Sequence, residues 1–361
     1  MRRIFLSTVF VAASGAVLVA IVFYNLQTAK VVKIEAPLAK IELEQPVVPD
    51  VADVADSSKN VSIFSVGDIM LGRNVEGKMN EKGLGYPFEK IKPYFVGADI
   101  VIGNLEGPIR KEHSRTPTGS TTFNFRTEVA GELQRAGFTT LSLANNHTLD
   151  YGTKGFEETQ RYLKEAGVEF FGHPRNIEDT FVLRKEINGY KFAFIGLQDV
   201  FASMDSQQAV TLVKTVATEP DTITIVSIHW GDEYKLTNNK RQQKLAHDFI
   251  DVGADFIIGH HPHVVQNIEE YKGKIIFYSL GNFIFDQYFS QETQEGLMLN
   301  FKFSEQDLSI QLYPVDVTNS QPILMEESAA KIWLQKLAER SESALSVPLK
   351  EGRIVVSNNY K

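Results

Sequence analysis

Five of the eight histidines in this 361-residue chain stand directly after apolar runs that have the length and composition of β-strands. Imidazole is the commonest metal-binding side chain, and it can also carry a proton near neutral pH. Chance does not easily gather most of the histidines at strand ends, so we interpret them as parts of one chemical site. The five are His147, His229, His260, His261 and His263.

Carboxylates and amides end other apolar runs in the same way. Ligands bind outside the carboxyl ends of the strands in open α/β sheets. We therefore expect these side chains to converge with the histidines on one place. They are Asp68, Asn104, Glu106, Asn145, Asn146 and Asn282.

The mixture of imidazole, carboxylate and amide groups predicts a metal centre. Such ligands suit manganese, iron or zinc, whereas oxygen ligands alone would suit magnesium or calcium. His261 and His263 alternate along one predicted extended segment, so both can face the same side. Asp68 and Glu106 can bridge or balance two divalent ions. Two ions about 3.5–4 Å apart can polarise a phosphoryl oxygen and lower the pKa of a bridging water.

His147 lies three residues before Asp150, and this spacing predicts a pair that transfers a proton. His147 could act as the acid for a leaving oxygen while Asp150 fixes its tautomer. Ordinary structural roles remain open as alternatives. Asp150 could belong to a turn, His260 could be a packed core residue, and Asn282 could cap a loop.

The composition excludes several classes of protein. The chain has 37 Lys+Arg and 45 Asp+Glu, a net charge of −8, and no dense basic run, which argues against nucleic-acid binding. It has no cysteine, so a disulfide framework, a Cys-ligated zinc site and a thiol nucleophile are excluded. At 43% hydrophobic residues, the composition is that of a globular protein.

The elements that must position these side chains follow an alternating pattern of strands and helices. Amphipathic helices alternate with apolar runs and end at glycine, which predicts an α/β layered fold. A hairpin turn at Asn188 and Gly189 adds antiparallel strands. The predicted helices lie near 127–136, 154–166, 238–252 and 326–340, the hairpin at 185–197, and a further antiparallel pair at 297–303 and 309–317.

The N-terminal residues predict a membrane anchor. Residues 4–24 carry no charge and are long enough to cross a bilayer as a helix. Arg2 and Arg3 would hold the N-terminus in the cytoplasm and send the rest of the chain outside. A cleaved signal peptide is the alternative. The predicted segments are a signal anchor at 1–26, an extended linker at 27–60, a domain at 61–322, and a C-terminal helix and tail at 323–361.

Six motifs in this order resemble the CapA/PgsA family of poly-γ-glutamate capsule biosynthesis proteins over residues 61–317. The resemblance implies a calcineurin-like metallophosphoesterase fold, a two-sheet αββα sandwich. It also implies work at the cell membrane beside an ATP-dependent ligase and a small membrane subunit. The motifs are GDIMLGR (67–73), NLEGP (104–108), NNHTLDYG (145–152), HWG (229–231), GHHPH (259–263) and SLGN (279–282).

The same resemblance implies roles for individual residues. Asn146, His229, His261 and His263 match metal ligands of the phosphoesterase pattern, with Asp68 and Glu106 beside them, and His147 matches its acid. Met70 stands where that pattern has a histidine ligand, so a single ion or weak binding is an open alternative to two ions. We predict substrate contacts from Arg73, Asn104, Asn145, His260 and Asn282.

Two functions remain open from the sequence. One is a metal-dependent hydrolase or transferase that acts on a phosphoester or on the γ-linked polymer. The other is a scaffold or polymer-binding subunit with a degenerate metal site. The sequence has no GxxxxGK[ST] loop, so we do not assign the ligation step to this chain. A basic patch for an anionic polymer could comprise Arg110, Lys111, Arg115 and Arg126.

Overall fold

The structure, a computed structural model, describes residues 60–357. The predicted anchor at 1–26 and nearly all of the linker at 27–60 lie outside these residues. Within 60–357, no helix is both long and apolar enough to cross a membrane.

The described chain alternates strands and helices, as the sequence predicts. Its strands are β1 (Val61–Ile69), β2 (Ile100–Leu105), β3 (Thr140–Ser142), β4 (Glu169–Phe171), β5 (Leu183–Ile187), β6 (Tyr190–Gln198), β7 (Thr222–His229), β8 (Phe256–His260), β9 (Ile268–Tyr271), β10 (Lys274–Phe277), β11 (Asn282–Ile284), β12 (Glu295–Phe303), β13 (Asp307–Asp316), β14 (Ile323–Leu324) and β15 (Arg353–Ser357). Its α-helices are α1 (Arg73–Lys82), α2 (Val129–Ala136), α3 (Gly152–Glu165), α4 (Ser206–Ala217), α5 (Lys240–Asp251), α6 (Glu327–Arg340) and α7 (Ser346–Lys350).

The strands form two mixed sheets. The first has the order β14-β13-β12-β1-β2-β3-β4, with β11 paired to β1 and β15 paired to β13. The second has the order β5-β6-β7-β8-β10-β9. In the first sheet β1 to β4 are parallel and antiparallel strands follow on the β1 side, whereas in the second sheet the parallel strands β6, β7, β8 and β10 lie between antiparallel edge strands. The predicted two-sheet α/β fold is confirmed.

Three apolar clusters separate four layers. Ile63 and Ile102 from the first sheet meet Phe194 and Ile225 from the second, and this cluster lies between the sheets. The outer face of the first sheet packs against α1, α2 and α3, and that of the second sheet packs against α4 and α5. Because successive strand residues face opposite sides, strands buried on both faces are apolar almost throughout.

The helix ends follow local rules that the sequence already contains. Asn239 accepts hydrogen bonds from the backbone of Arg241 and Gln242, and the Gln242 side chain accepts from the Asn239 backbone. This capping box starts α5 two residues after the predicted start. Gly137 follows α2 in the left-handed region, at φ 109°.

The C-terminal segment completes the first sheet. Besides the predicted helix, here α6, it contributes β14 and β15, which both pair with β13. Trp333, Leu334 and Leu337 of α6 pack into the cluster between the sheets, and the Trp333 indole donates to Glu295 Oε2 at 2.8 Å. The segment at 323–361 therefore holds more than the helix and tail expected from the sequence.

Candidate metal centre

Strand register brings the polar strand ends together. In the first sheet Asp68 pairs with both Asn104 and Asn282, and in the second sheet His229 pairs with His260. The two edges meet, because Asp68 Oδ1 lies 3.5 Å from His260 Nδ1 and 4.0 Å from His229 Nδ1. The predicted convergence of the strand ends is therefore present in the fold.

Close backbone packing fixes the position of Asp68. Its amide donates to the carbonyl of Gly281 at 3.0 Å. A Cβ atom on the preceding Gly67 would lie only 1.9 Å from that same carbonyl oxygen. Glycine at position 67 is therefore required for the strands to approach closely enough to present Asp68.

The His261–His263 segment is not extended, and the predicted alternation is wrong. His261 and His263 both adopt positive φ angles, 97° and 57°. Their rings still come together, with centroids 5.8 Å apart. Positive φ values in non-glycine residues cost backbone energy and concentrate at functional sites. A tight left-handed loop therefore gathers the two imidazoles.

Asp68 is fully buried and surrounded by donors. Its Oδ1 accepts from Asn104 Nδ2 at 2.8 Å, and its Oδ2 accepts from the His261 amide at 3.2 Å. Burial alone would raise the pKa of Asp68, but the neighbouring His260, His229 and His263 hold it well below its usual range. The carboxylate is thus ionised at neutral pH.

Glu106 is buried without compensation. Its side chain has no exposed surface, and neither carboxylate oxygen has a hydrogen-bond partner among the described residues. Oε1 lies 3.8 Å from His263 Nε2 and 3.8 Å from His147 Nε2. Burial, followed by the charge of Asp68, raises the pKa of Glu106 well above its usual value. A buried carboxylate of this kind is expected to be paired or to bind a cation.

Three imidazoles beside these carboxylates are held neutral. Burial lowers the pKa of His229 well below its usual value, and it lowers the pKa of both His261 and His263 to about 4. Neutral imidazole is the form that binds metal ions. Nδ1 of His261 is also buried without a hydrogen-bond partner among the described residues.

Asn146 completes a second set of ligand atoms. Its Oδ1 lies 2.8 Å from Nε2 of His229, and the His229 ring centroid lies 4.8 Å from that of His261. The structure thus brings Asn146, His229 and His261 together on one side of the centre. Asp68, Glu106 and His263 form the other side, with ligand atoms all within 4.8 Å of one another.

Glu233 was not singled out from the sequence. One of its carboxylate oxygens lies within 4.8 Å of ligand atoms of His261 and His263. It follows the end of β7 by four residues, in the loop before α5. That position after a polar strand end is the sequence signal that could have identified it.

His147 and Asp150 form the predicted pair. His147 Nδ1 lies 2.9 Å from Asp150 Oδ2, which also accepts from the amide of Phe123 at 2.6 Å. Because the carboxylate only accepts, Nδ1 carries the proton and Nε2 is directed toward Glu106. The Phe123 ring stacks on the imidazole at a centroid distance of 4.0 Å. Phe123 was also not anticipated from the sequence.

Three residues predicted to contact substrate form hydrogen bonds within the protein. Asn104 donates to Asp68, Asn145 donates to Asn104 Oδ1 and Leu105 O, and Asn282 Oδ1 pairs with His263 Nδ1 at 3.0 Å. All three are fully buried. These hydrogen bonds hold the three amides against one another and against the predicted metal ligands Asp68 and His263. His260 is also buried and lies against Asp68.

Arg73 is held by protein groups as well. Its guanidinium pairs with Asp286, donates to Ser120 O at 2.9 Å, and lies over the rings of Phe123 and Phe285. Asp286, which the sequence reasoning missed, thereby neutralises the cation expected to bind an anionic group. The position of Met70 is also settled. It is buried in the apolar cluster, and its Sδ accepts from the Gly72 amide at 3.1 Å.

The predicted basic patch is largely engaged in local contacts. Arg110 stacks on Tyr151 at 3.8 Å, Arg115 donates to Arg73 O at 2.8 Å, and Arg126 donates to Asn80 Oδ1 at 2.7 Å. For Lys111, the described contact is its backbone amide with Glu158. These contacts fix the loop geometry near the centre.

Comparison with known sequences identifies the family. The family described as bacterial capsule synthesis protein PGA_cap matches residues 62–287 of this chain. This chain belongs to that family. The expected resemblance to CapA proteins is confirmed, since the chain is 31% identical to the capsule biosynthesis protein CapA of Bacillus anthracis over 327 residues, covering 84% of this chain and 79% of the relative.

Two further relatives carry related descriptions. The chain is 31% identical to the PGA biosynthesis protein CapA of Bacillus subtilis (strain 168), with 78% of each chain covered. It is 30% identical to a probable polyglutamine synthesis accessory protein of Mycobacterium tuberculosis, and the match covers 40% of this chain and 44% of the relative.

Solved structures show weaker similarity. A hypothetical protein from Thermus thermophilus has a TM-score of 0.42 at 16% identity, covering 73% of this chain and 96% of that one. Purple acid phosphatase PPD1 from yellow lupin has a TM-score of 0.38 at 9% identity, covering 73% and 53%. Similarity of this strength adds nothing to the strand pairing, on which the fold assignment rests.

Proposed function

We propose that this PGA_cap protein takes part in the synthesis or export of a poly-γ-glutamate capsule, with a metal-dependent hydrolase or transferase site at its strand ends. Its family and the names of its Bacillus relatives support the capsule role. We further propose a single N-terminal membrane anchor with the described domain outside the cytoplasm. Its partners would be an ATP-dependent ligase and a small membrane subunit.

The buried Glu106 carboxylate is the observation that carries the proposal of a metal. A carboxylate with no exposed surface and no hydrogen-bond partner among the described residues is costly unless a cation offsets it. The neighbouring Asp68 is ionised, and His263 is neutral. The donor set therefore fits a divalent cation of the manganese, iron or zinc type.

Six side chains would hold one or two such ions. A divalent ion bound here supplies a polarised phosphoryl or carbonyl oxygen and an activated water. The amides of Asn104, Asn145 and Asn282 keep the ligand side chains in place. The ligands are Asp68, Glu106, Asn146, His229, His261 and His263.

His147 supplies the proton in this proposal. Asp150 accepts the Nδ1 proton, which stabilises an imidazolium, and the imidazolium can give its second proton, on Nε2, to a leaving oxygen. The imidazole is partly exposed, whereas Glu106 behind it is fully buried. A substrate group can therefore reach Nε2 from the solvent side.

Two cavities flank the centre and give room for an extended substrate. One, of about 560 Å³, is lined by Asn146, His173 and Arg175, and the other, of about 500 Å³, is lined by His261 and Glu233. Phe201 borders both and is 93% exposed. The two cavities adjoin at Phe201, and each includes one of the predicted metal ligands, Asn146 in the first and His261 in the second.

Replacing the histidine ligands tests the proposed function in cells. His229→Ala and His263→Ala should abolish polymer production while the protein remains folded and present at normal level. The matched control is His247→Ala, which removes a histidine paired with Glu269 away from the centre. Full polymer production by both ligand variants would contradict the enzyme proposal.

Met70 favours a second candidate, a non-enzymatic scaffold. Its side chain lies in the apolar cluster, so the centre has one potential ligand fewer than the phosphoesterase pattern. A scaffold would hold the ligase and the small subunit together without turnover. Under that alternative, both ligand variants would still make polymer and would still co-purify with the partner subunits.

Membrane fractionation tests the proposed location. We expect the full-length protein to stay with membranes after a salt or carbonate wash, and the described domain to be digested by protease added to spheroplasts. Resistance of that domain to the protease until the membrane is broken would contradict an extracytoplasmic location.

A further inference from the structure

Glu233 differs from the other acidic groups of the centre in its exposure. Asp68 and Glu106 are fully buried, whereas Glu233 is exposed and lines the cavity beside His261. Its carboxylate nevertheless lies within 4.8 Å of ligand atoms on both His261 and His263. It is thus a carboxylate on the solvent side, within reach of two neutral imidazoles.

We propose that Glu233 is an additional metal ligand, which binds from the solvent side together with His261 and with His263, the residue that it shares with the buried side. The inference rests on the proposed metal centre and names a residue of that centre. The buried side has three ligand residues, Asp68, Glu106 and His263. A fourth protein ligand would fill a position that a three-residue zinc site leaves to water.

The loop that carries Glu233 is anchored on both sides. The backbone of the next residue, Tyr234, donates to Pro262 O at 2.8 Å, and its ring stacks near His263 at 6.2 Å. On the other side, Gly231 has φ 86°, and a Cβ there would meet the Gln242 side chain at 2.6 Å. These contacts tie the loop to the histidine segment, so the Glu233 carboxylate stays at the centre.

The adjacent acid, Asp232, is directed elsewhere. Its Oδ2 accepts from Asn239 Nδ2 at 2.8 Å, next to the start of α5. Asp232 lines the same cavity as Glu233 and His261. Of these two neighbouring acids, Glu233 is the one with a carboxylate oxygen within 4.8 Å of ligand atoms on both His261 and His263.

Metal affinity of the purified full-length protein tests the inference. The chelator-stripped protein is titrated with Mn²⁺ and with Zn²⁺ by calorimetry. Glu233→Gln removes the charge, and Glu233→Asp keeps the charge but shortens the side chain. We expect both to lower affinity by at least about tenfold, since even outer partners of metal ligands are worth about 10- to 100-fold. Asp232→Asn is the matched control, expected to change affinity less than about threefold.

The absorption spectrum of bound Co²⁺ gives a second readout, because it reports the number of ligands. We expect Glu233→Gln to alter this spectrum and Asp232→Asn to leave it unchanged. Wild-type affinity and spectrum in Glu233→Gln would overturn the inference while leaving the metal centre intact. The inference would also be overturned if Glu233→Gln and Asp232→Asn lost equal metal affinity while Glu233→Asp bound metal normally. Glu233 would then act through its charge alone. A wild-type protein that binds none of these ions would overturn the proposed metal centre itself.

Discussion

The two sides of the centre differ in the charge and in the hydrogen bonding of their buried polar groups. On the Asp68–Glu106–His263 side, two carboxylates come from the first sheet, and Glu106 has no hydrogen-bond partner among the described residues. On the Asn146–His229–His261 side the groups are neutral, and the Asn146 amide oxygen already contacts His229 at 2.8 Å. One side holds a buried carboxyl group with no hydrogen-bond partner among the described residues, whereas the other is neutral and lacks such a partner at His261 Nδ1.

The difference indicates where a cation stabilises the protein most. Binding at the carboxylate side offsets a buried charge, so it contributes to the free energy of folding as well as to chemistry. Binding at the imidazole side replaces the contact that Asn146 already makes with His229. We therefore expect the carboxylate side to hold the more tightly bound ion.

The largest expected effect compares one ligand from each side. His263→Ala should lower the affinity for the tightest-bound Mn²⁺ or Zn²⁺ ion by at least about 100-fold. It removes a direct ligand, and even residues that only hold a ligand in place are worth about 10- to 100-fold in affinity. His229→Ala should leave that affinity within about threefold and weaken only the second ion. Calorimetric titration measures both, and the reverse order would break the distinction between the two sides.

The pH dependence of stability in the metal-free protein tests the imidazoles. His261 and His263 have folded pKa values of about 4, below the usual 6.5 of the unfolded chain. Between these values the unfolded state binds more protons, so the free energy of unfolding should fall as pH drops from 6.5 to 4. Each histidine accounts for up to about 3 kcal/mol.

Urea unfolding at a series of pH values measures this slope. His261→Gln and His263→Gln should each flatten it. His113→Gln is the control, because Glu76 raises the pKa of His113. The contribution of His113 to stability is therefore fully present below pH 6.5 and does not change the slope between pH 6.5 and 4. An unchanged slope in the two site variants would show that their imidazoles protonate freely in the folded protein.

A smaller effect of opposite sign is expected from Glu106. Its raised folded pKa means that the folded state keeps a proton that the unfolded chain loses, so Glu106 destabilises the metal-free protein as pH rises above about 4.5. Glu106→Gln should therefore stabilise the metal-free protein at pH 7 by about 1 kcal/mol and weaken metal binding. If Glu106→Gln instead destabilised the metal-free protein, the Glu106 carboxylate would not be an uncompensated buried charge.

The smallest expected effect concerns the proton carrier beside the centre. Asp150→Asn should lower the share of His147 that carries its proton on Nδ1, because the charged acceptor is lost, and should cost about 1 kcal/mol of stability. Nitrogen NMR shifts of the imidazole report the tautomer. Metal stoichiometry should stay at the wild-type value, and a fall in it would make Asp150 part of the ligand network.

Strand ends were predictable from the sequence because two local signals coincide there. Apolar runs with strand composition fix where β1, β2, β7 and β8 lie, and parallel strands expose their carboxyl ends at one edge. Asp68, Asn104, His229 and His260 therefore could be placed together without coordinates. The alternation of layers followed from the same pattern.

The rest depended on tertiary contacts. His261 and His263 meet through a left-handed loop, which alternation of an extended segment does not describe. Glu233 and Asp286 lie in loops, where no periodicity indicates which way a side chain faces. β14 and β15 are short and exist by pairing with β13, a partner that local sequence does not reveal.

Metal content of the purified protein, measured by mass spectrometry after purification without a metal-affinity tag, tests the central claim most directly. We predict between one and two equivalents of manganese, iron or zinc, with the tightest-bound equivalent lost in His263→Ala and retained in His229→Ala. A wild-type protein that holds no metal, even after reconstitution with all three ions, would contradict the account.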